Sequence, residues 1–429
     1  MRHFRKLSGL VNLAFRGSTL VFRFLLSFYI IKYLGFEATG IYGLALGAIG
    51  ILPAMLGWGL NYLVSREVIG KDPAFAAAIV KNRLFVTTAT LIVSTILGLI
   101  VAYAMGYQIT FLYGLIIALI WLETYGLDIH LPLIGQSMAT EANLLVFVRS
   151  ALWVPIVVGL GLAFPVFRTL EAVFIGWIAS YVLAAALLAY LLRTWPLRQT
   201  AATPVDFRWI QERLRHSWHI YISDLSIVGL MYADRYIVNY MLTLTLTGVY
   251  TFFWSLTNAL QTLMQTAVIQ LALPILFQAR HKGSIAEWKR VFRKQIIKTA
   301  VIATVLAAGV LGGSEFLIRF LSMSEISEHR GLFILLLLAA IVRSCSDLLN
   351  VGLTSLNKDS HYASINMFGV CLSVTMTAAM ISWLGFNGTG VAALITAVVV
   401  TGIRGAYLLT FSRQADPLPA DRSEPTPDR

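Results

Sequence analysis

Charged residues are scarce in this chain. Only 13% of its 429 residues are Asp, Glu, Lys or Arg, and 58% are hydrophobic. Soluble domains carry about 25% charged residues, so the composition excludes that class. Apolar runs of about 20 residues recur along the chain, and this is the length that a helix needs to cross a bilayer. The runs do not alternate between apolar and polar residues, which excludes a membrane β-barrel as well.

Several chemical motifs are also missing. The only two cysteines, Cys345 and Cys371, lie in apolar segments without metal-binding spacing, and they are interpreted as small apolar residues. No G-x-x-x-x-G-K-[ST] motif occurs, which excludes ATP hydrolysis by a P-loop. The first apolar segment is too long and too basic for a cleavable signal peptide. We expect no metal and no cofactor. The outer loops are short, which argues against a membrane glycosyltransferase, ligase or polymerase, so we expect no enzyme activity.

Twelve apolar segments predict an all-α integral membrane protein. They span 8–33, 40–62, 83–105, 109–130, 142–163, 171–192, 219–241, 248–275, 297–320, 331–353, 361–384 and 389–411. Lys and Arg concentrate in the two termini and one set of connecting loops, with 23 residues there and at most four in the other set of loops. Basic loops stay in the cytoplasm, so both termini are expected to be cytoplasmic. This topology also accounts for the net charge of +12, and membrane lipids rather than nucleic acid are the expected partners.

A short repeat divides the chain. Thr-Gly-Ile-Tyr at 39–42 opens the second predicted helix, and Thr-Gly-Val-Tyr at 247–250 opens the eighth, 208 residues later. The repeat predicts two six-helix lobes related by a pseudo-two-fold axis along the membrane normal, with substrate between them near the midplane. The predicted parts are an N-terminal lobe at 1–193, a cytoplasmic linker at 194–217, a C-terminal lobe at 218–411 and a disordered tail at 412–429.

The linker contains a candidate amphipathic helix. Phe207, Ile210 and Leu214 share one face of this helix, and basic residues occupy the remainder. Such a pattern is typical of a helix that lies in the membrane interface.

Six arginines lie within the apolar segments. They are Arg16, Arg23, Arg149, Arg235, Arg343 and Arg404. An arginine at bilayer depth costs roughly 2.5–3.5 kcal/mol on insertion scales, so it normally faces a protein interior or a wet cavity. Together these residues predict a cationic lumen that suits an anionic substrate.

Uncharged polar residues extend the predicted lumen. Asn12 shares a helical face with Arg16 and Arg23, while Asn258 and Gln265 lie on the eighth predicted helix and Asn350 on the tenth. Acidic residues provide candidate sites for H⁺ or Na⁺ that could drive transport. They are Glu123, Asp128, Asp224, Asp234 and Asp347.

A structural role for the arginines stays open. Arg343 can pair with Asp347 along one helix, and Arg235 lies beside Asp234, so each pair could merely hold helices together. The first predicted helix differs, because no acid lies between residues 1 and 36 to pair with its arginines.

The order of short motifs resembles that of a known family. The motifs are Leu-Gly at 34–35, the repeat at 39–42, Leu-Gly-Trp-Gly-Leu at 56–60, Ser-Arg at 65–66, Asp-Arg at 234–235, Gly-Val-Tyr at 248–250, Pro274 and Thr-Gly-Val-Ala-Ala at 389–393. They resemble bacterial polysaccharide flippases, including those of O-antigen in lipopolysaccharide biosynthesis. Trp58 departs from the pattern, since many relatives would have aspartate or asparagine there.

This resemblance implies a function. The family moves an undecaprenyl-pyrophosphate-linked oligosaccharide from the inner to the outer leaflet of the bacterial cytoplasmic membrane by alternating access. The lipid-linked oligosaccharide is then the expected substrate, and polysaccharide polymerase and assembly proteins are candidate partners. The family shares its superfamily with multidrug extruders and lipid II flippases.

Three alternatives stay open. A multidrug extruder of the same fold is disfavoured because the first predicted helix carries two arginines and no acid. A lipid II flippase typically has fourteen helices, whereas twelve are predicted here. A non-transporting scaffold of a glycan assembly complex is disfavoured by the polar stripes.

Overall fold

The computed structural model of the chain describes residues 2–282, 285–320, 324–356 and 360–414. Eighteen α-helices lie within this part. They are α1 (Arg2–Tyr29), α2 (Phe36–Leu56), α3 (Leu60–Glu67), α4 (Pro73–Ala104), α5 (Phe111–Gly135), α6 (Ala139–Phe147), α7 (Trp153–Ala163), α8 (Leu170–Leu191), α9 (Leu197–Ala202), α10 (Phe207–His216), α11 (Trp218–Met241), α12 (Leu244–Met264), α13 (Gln270–Lys282), α14 (Ile285–Phe320), α15 (Ser324–Ser327), α16 (Arg330–Ser355), α17 (Ser360–Leu384) and α18 (Asn387–Gln414). No strand occurs in these ranges.

Some of these helices are joined by π-helical turns. The turns are Ile30–Leu34 after α1, Val148–Leu152 between α6 and α7, and Gln265–Ile269 between α12 and α13. Eleven continuous helical segments in the described part are long and apolar enough to cross a membrane. The predicted helix 219–241 forms as α11, but Asp224, Asp234 and Arg235 make it more polar than the others. The predicted all-α, multi-pass membrane architecture is confirmed.

Helix packing divides the chain into two compact units, Met1–Ser255 and Leu256–Arg429. In the first unit, α11 packs along α2. In the second unit, α16 and α18 form the most extensive helix pair, and α17 packs on α18. The predicted lobe boundary within 194–217 stays a prediction.

The linker is anchored to the first unit. Trp209 and Ile210 of α10 are buried against α3 and α4, and the Trp209 indole donates to the Glu67 carboxylate at 3.1 Å. The Lys81 ammonium donates to the backbone carbonyls of Thr200 and Thr203 at 3.0 and 2.7 Å. The predicted amphipathic helix therefore forms, but its buried face is centred on residues 209–210.

A row of glycines brings α2 close to α11 and α12. A Cβ at Gly47 would lie 2.9 Å from the Tyr236 hydroxyl, and one at Gly50 would lie 2.6 Å from the Tyr232 ring. Gly43 likewise faces the Thr251 side chain. Small residues permit this approach of two helix backbones. We call Gly40, Gly43, Gly47, Gly50 and Gly248 the glycine seam.

The two copies of the repeated motif meet within this seam. A Cβ at Gly40 would lie 3.3 Å from the Gly248 nitrogen, and a Cβ at Gly248 would lie 3.1 Å from the Gly40 nitrogen. The contact is therefore reciprocal. This is the local arrangement expected of two elements that a two-fold axis relates.

The predicted single helix at 40–62 is wrong, because the chain breaks between α2 and α3. Trp58 has φ +54° and Gly59 has φ +66°, both in the left-handed region. Glycine adopts that region freely, whereas a bulky residue held there costs on the order of 1–3 kcal/mol. The break lets the chain approach the start of α11, where a Cβ on Gly59 would lie 2.6 Å from the Tyr221 nitrogen.

We predict that Gly248→Ala destabilises the protein by about 1–3 kcal/mol, because the new methyl group would overlap the Phe36 carbonyl. Gly98→Ala is the matched control, since nothing lies within 4 Å of its Cβ position. Alanine in that helix interior should be neutral or stabilising by up to about 1 kcal/mol. Unfolding in detergent, followed by tryptophan fluorescence, measures both. Equal stability of the two variants would contradict the close packing of the seam.

Candidate functional site

Arg235 is held at the centre of the glycine seam. Its side chain is fully buried, and its Nη1 donates to the Gly43 carbonyl at 3.0 Å. The guanidinium carbon lies 3.7 Å from the ring centroid of Trp254 and 5.0 Å from that of Tyr232, which are cation–π distances. Its Nε and Nη2 are buried and have no hydrogen-bond partner. A buried cation thus keeps two unused donors.

The neighbouring carboxylate is engaged by other groups. Asp234 accepts the backbone N–H of Arg235 at 2.9 Å and a short hydrogen bond from the Tyr250 hydroxyl. The negative charge still acts on Arg235 electrostatically. The guanidinium itself, however, bonds to the Gly43 carbonyl.

A second arginine approaches the same region from α1. Arg23 is exposed within the first unit, and it forms no ion pair among the residues described there. The charges of Arg23 and Arg235 both act on the hydroxyl of Tyr42, which is buried on α2 and stacked on Phe174. We call Arg23, Arg235, Tyr42, Tyr232 and Trp254 the arginine site. The side chains of Asn12 and Arg16 lie outside the described residues.

Arg149 and Glu123 form a helix-to-helix pair. Arg149 Nη1 lies 2.9 Å from Glu123 Oε1 and 3.0 Å from the Tyr181 hydroxyl, which in turn bonds to Glu123. Arg149 projects from the π-helical turn Val148–Leu152 and packs on Gly126. Arg149, a predicted lumen residue, and Glu123, a predicted ion-coupling residue, thus form an ion pair with each other.

A buried ion pair that the sequence did not predict involves Arg83. The predicted third helix begins at residue 83, but α4 begins at Pro73, so Arg83 lies well inside the helix and is fully buried. Its Nη2 lies 2.7 Å from Asp128 Oδ1, and its Nε donates to Asn61 at 3.0 Å. Thr87 donates a short hydrogen bond to the same carboxylate. Asp72 followed by proline is a helix-start signal that could have revealed this depth.

The second unit contains a different arginine pair from the one predicted along its tenth helix. Arg404 of α18 donates to Ser346 at 2.9 Å and to Asn366 at 2.8 Å. Its Nη1 lies 3.5 Å from Asp347 Oδ1. The ion pair of Asp347 is therefore with Arg404, while Arg343 acts on the same carboxylate at longer range.

The remaining predicted residues are more dispersed. Asp224 is half-buried on α11, eleven residues before Arg235, and no described side chain forms an ion pair with it. Asn258 is half-buried on α12, and Gln265 is exposed at the start of a π-helical turn. Asn350 is half-buried on α16.

An apolar crevice of about 540 Å³ lies elsewhere in the first unit, between α7 and α8. Its only polar lining residues are Thr169, Glu171 and Ser180. Because no basic residue lines it, it does not suit an anionic group.

Comparison with known proteins identifies the fold. The chain is similar to the inward-facing conformation of a multidrug resistance MATE family transporter of the MOP superfamily, with TM-score 0.67, 15% identity and coverage of 95% of this chain and 99% of that one. An outward-facing conformation of such a transporter gives TM-score 0.51, 14% identity and coverage of 95% and 94%. A mutant of the Vibrio cholerae MATE transporter VcmN gives TM-score 0.57, 13% identity and coverage of 95% and 96%. No protein-family model and no curated protein sequence matches the chain. The chain therefore has the fold of MATE transporters.

We predict that Asp128→Ala lowers the free energy of unfolding by about 3–5 kcal/mol, because it leaves the Arg83 charge buried without its partner. The double variant Arg83→Leu/Asp128→Ala should lose clearly less than the sum of the two single losses. Arg213→Ala is the control, since its pair with Glu67 is partly exposed and should contribute about 0–1 kcal/mol. Chemical denaturation in detergent measures the losses of Asp128→Ala, Arg83→Leu, the double variant and Arg213→Ala. A double-variant loss equal to the sum of the two single losses would refute the ion pair.

Proposed function

We propose that the protein is an alternating-access transporter for an anionic, lipid-linked substrate. The proposed substrate is an undecaprenyl-pyrophosphate-linked oligosaccharide, moved from the inner to the outer leaflet of a bacterial inner membrane. The observation that carries this proposal is the state of Arg235. It is fully buried and retains two unused donors, and Arg23 lies close enough to act on the same tyrosine.

The chemistry of the guanidinium supports a phosphate ligand. A buried cation without an anion is costly, and paired N–H donors match the oxygens of phosphate or carboxylate. A pyrophosphate would supply the acceptors that Arg235 Nε and Nη2 lack, in addition to the Asp234 charge that already acts on the guanidinium. The three other buried arginines of the described part, Arg83, Arg149 and Arg404, each lie close to an acid.

Coupling and orientation complete the proposal. Asp224 is our first candidate for binding H⁺ or Na⁺, because it is a half-buried carboxylate on the same helix as Arg235. The concentration of Lys and Arg in one set of loops supports cytoplasmic termini.

Multidrug extrusion is the second candidate, and the likeness to multidrug resistance transporters favours it equally at the level of fold. A cationic drug would have to bind away from Arg23 and Arg235. A lipid II flippase or a glycan-assembly scaffold would share the fold with a different cargo or with none.

We expect the purified protein, reconstituted in liposomes, to move a fluorescent polyprenyl-pyrophosphate-linked oligosaccharide between leaflets faster than protein-free vesicles do. A cationic dye is tested in parallel. Transport of the dye alone would reject the flippase and assign the arginines to helix packing.

We further expect Arg16→Ala, Arg23→Ala and Arg235→Gln to reduce this movement at least about tenfold while the protein still inserts, because removing an arginine eases insertion. Arg198→Gln, an exposed arginine of the linker, should keep the wild-type rate. Unchanged lipid transport in Arg23→Ala and Arg235→Gln would contradict the arginine site.

A further inference from the structure

Trp58 occupies a backbone conformation that its side chain disfavours. Its φ is +54°, a region that glycine, asparagine and aspartate tolerate and that is an outlier for a bulky residue. Contacts to two other helices hold it there. The indole Nε1 donates to Thr90 at 3.3 Å, and the ring stacks on Tyr221 with centroids 5.5 Å apart and planes 25° apart.

A third ring packs at a tilt against Tyr221. Trp218 lies 5.7 Å from Tyr221, centroid to centroid, at 39°. We call Trp58, Tyr221 and Trp218 the aromatic ladder. Trp58 is 37% exposed and Trp218 is 55% exposed, so aromatic surface remains accessible at both ends.

The ladder lies at one end of α2 and α11, two of the helices that carry the arginine site. Trp58 follows Tyr42 by sixteen residues, in the break just after α2, and Tyr221 precedes Arg235 by fourteen residues on α11. At 1.5 Å per helical residue, the two places are roughly 20–25 Å apart along the helices. The ladder is at the end where α3 meets the linker, and the basic loops predict that this end is cytoplasmic.

The usual anchoring role of a tryptophan at the membrane interface does not explain this geometry. Aromatic residues anchor membrane proteins simply by reaching the headgroups, and they need no left-handed backbone for that purpose. Strain of this kind persists where the surrounding structure fixes a side chain in a particular place, and such places cluster at binding sites. Here the indole N–H is already satisfied by Thr90, so the ring face is what remains for a ligand.

We infer that the aromatic ladder is a carbohydrate-binding subsite, which stacks sugar rings of the substrate's oligosaccharide as it enters from the cytoplasm. This inference rests on the proposed function. Aromatic faces carry partial negative charge and attract the positively polarised C–H groups on one face of a pyranose. One extended ligand could therefore place its sugars on the aromatic ladder and its pyrophosphate at the arginine site, because the two sites lie apart along α2 and α11.

The test compares two lipids in the liposome assay: the polyprenyl-pyrophosphate-linked oligosaccharide and the same polyprenyl pyrophosphate without sugar. Trp58→Asn removes the ring and suits the left-handed backbone, so the variant should fold at least as well as wild type. We expect its rate to fall about tenfold for the glycan-bearing lipid and to stay unchanged for the bare lipid. Trp218→Ala should act in the same direction, whereas Trp383→Ala, which is 83% exposed in the second unit, should change neither rate.

A second measurement does not depend on transport. Titrating the detergent-solubilised protein with the free oligosaccharide should change tryptophan fluorescence in wild type and not in Trp58→Asn. Equal slowing of both lipids, or wild-type rates for both, would overturn the subsite while leaving the proposed function intact. If wild type moves neither lipid, the proposed function fails, and the oligosaccharide titration alone decides the subsite.

Discussion

The packing of the first unit depends on glycines along one face of α2, where no side chain separates the helices. The glycine seam lets the backbones of α2, α11 and α12 approach until side chains of one helix reach main-chain atoms of another. Arg235 can therefore donate to the Gly43 carbonyl, and Tyr236 to that of Leu44. A Cβ at Gly43 or Gly47 would separate these groups. The position of the arginine site is thus set by backbone contact rather than by pairing of charges.

The buried arginines fall into two groups according to the groups that they contact. Arg83, Arg149 and Arg404 each lie within 3.5 Å of a carboxylate oxygen and have further polar contacts. The Arg83–Asp128 pair is buried on both sides, so losing one partner there leaves an uncompensated charge. The Arg235 guanidinium instead donates to a carbonyl and packs on two aromatic rings, and its Nε and Nη2 have no hydrogen-bond partner. The same residue type thus serves packing in one place and is suited to recognition in another.

Hydropathy and charge predicted the helical membrane architecture, because that architecture depends on composition along the chain. They could not reveal the break at residues 57–59, since Trp58 is as apolar as its helical neighbours and its φ is decided by contacts with Thr90 and Tyr221. Hydropathy becomes strongly apolar only near residue 83, whereas the Asp72 cap starts α4 at Pro73, so hydropathy alone does not reveal the depth of Arg83. The pairing of Asp347 with Arg404 depends on how α16 meets α18, which local spacing does not encode.

The contact between Gly40 and Gly248 has the form of an isologous interface, in which a residue near the axis meets its own counterpart. A six-helix chain that assembled as a homodimer would need this glycine once in its gene. A fused chain needs it at two separate codons, and a change at either one breaks the same contact. Fusion of two such copies would therefore free the rest of each half to diverge, while both glycine codons remain under the same steric requirement.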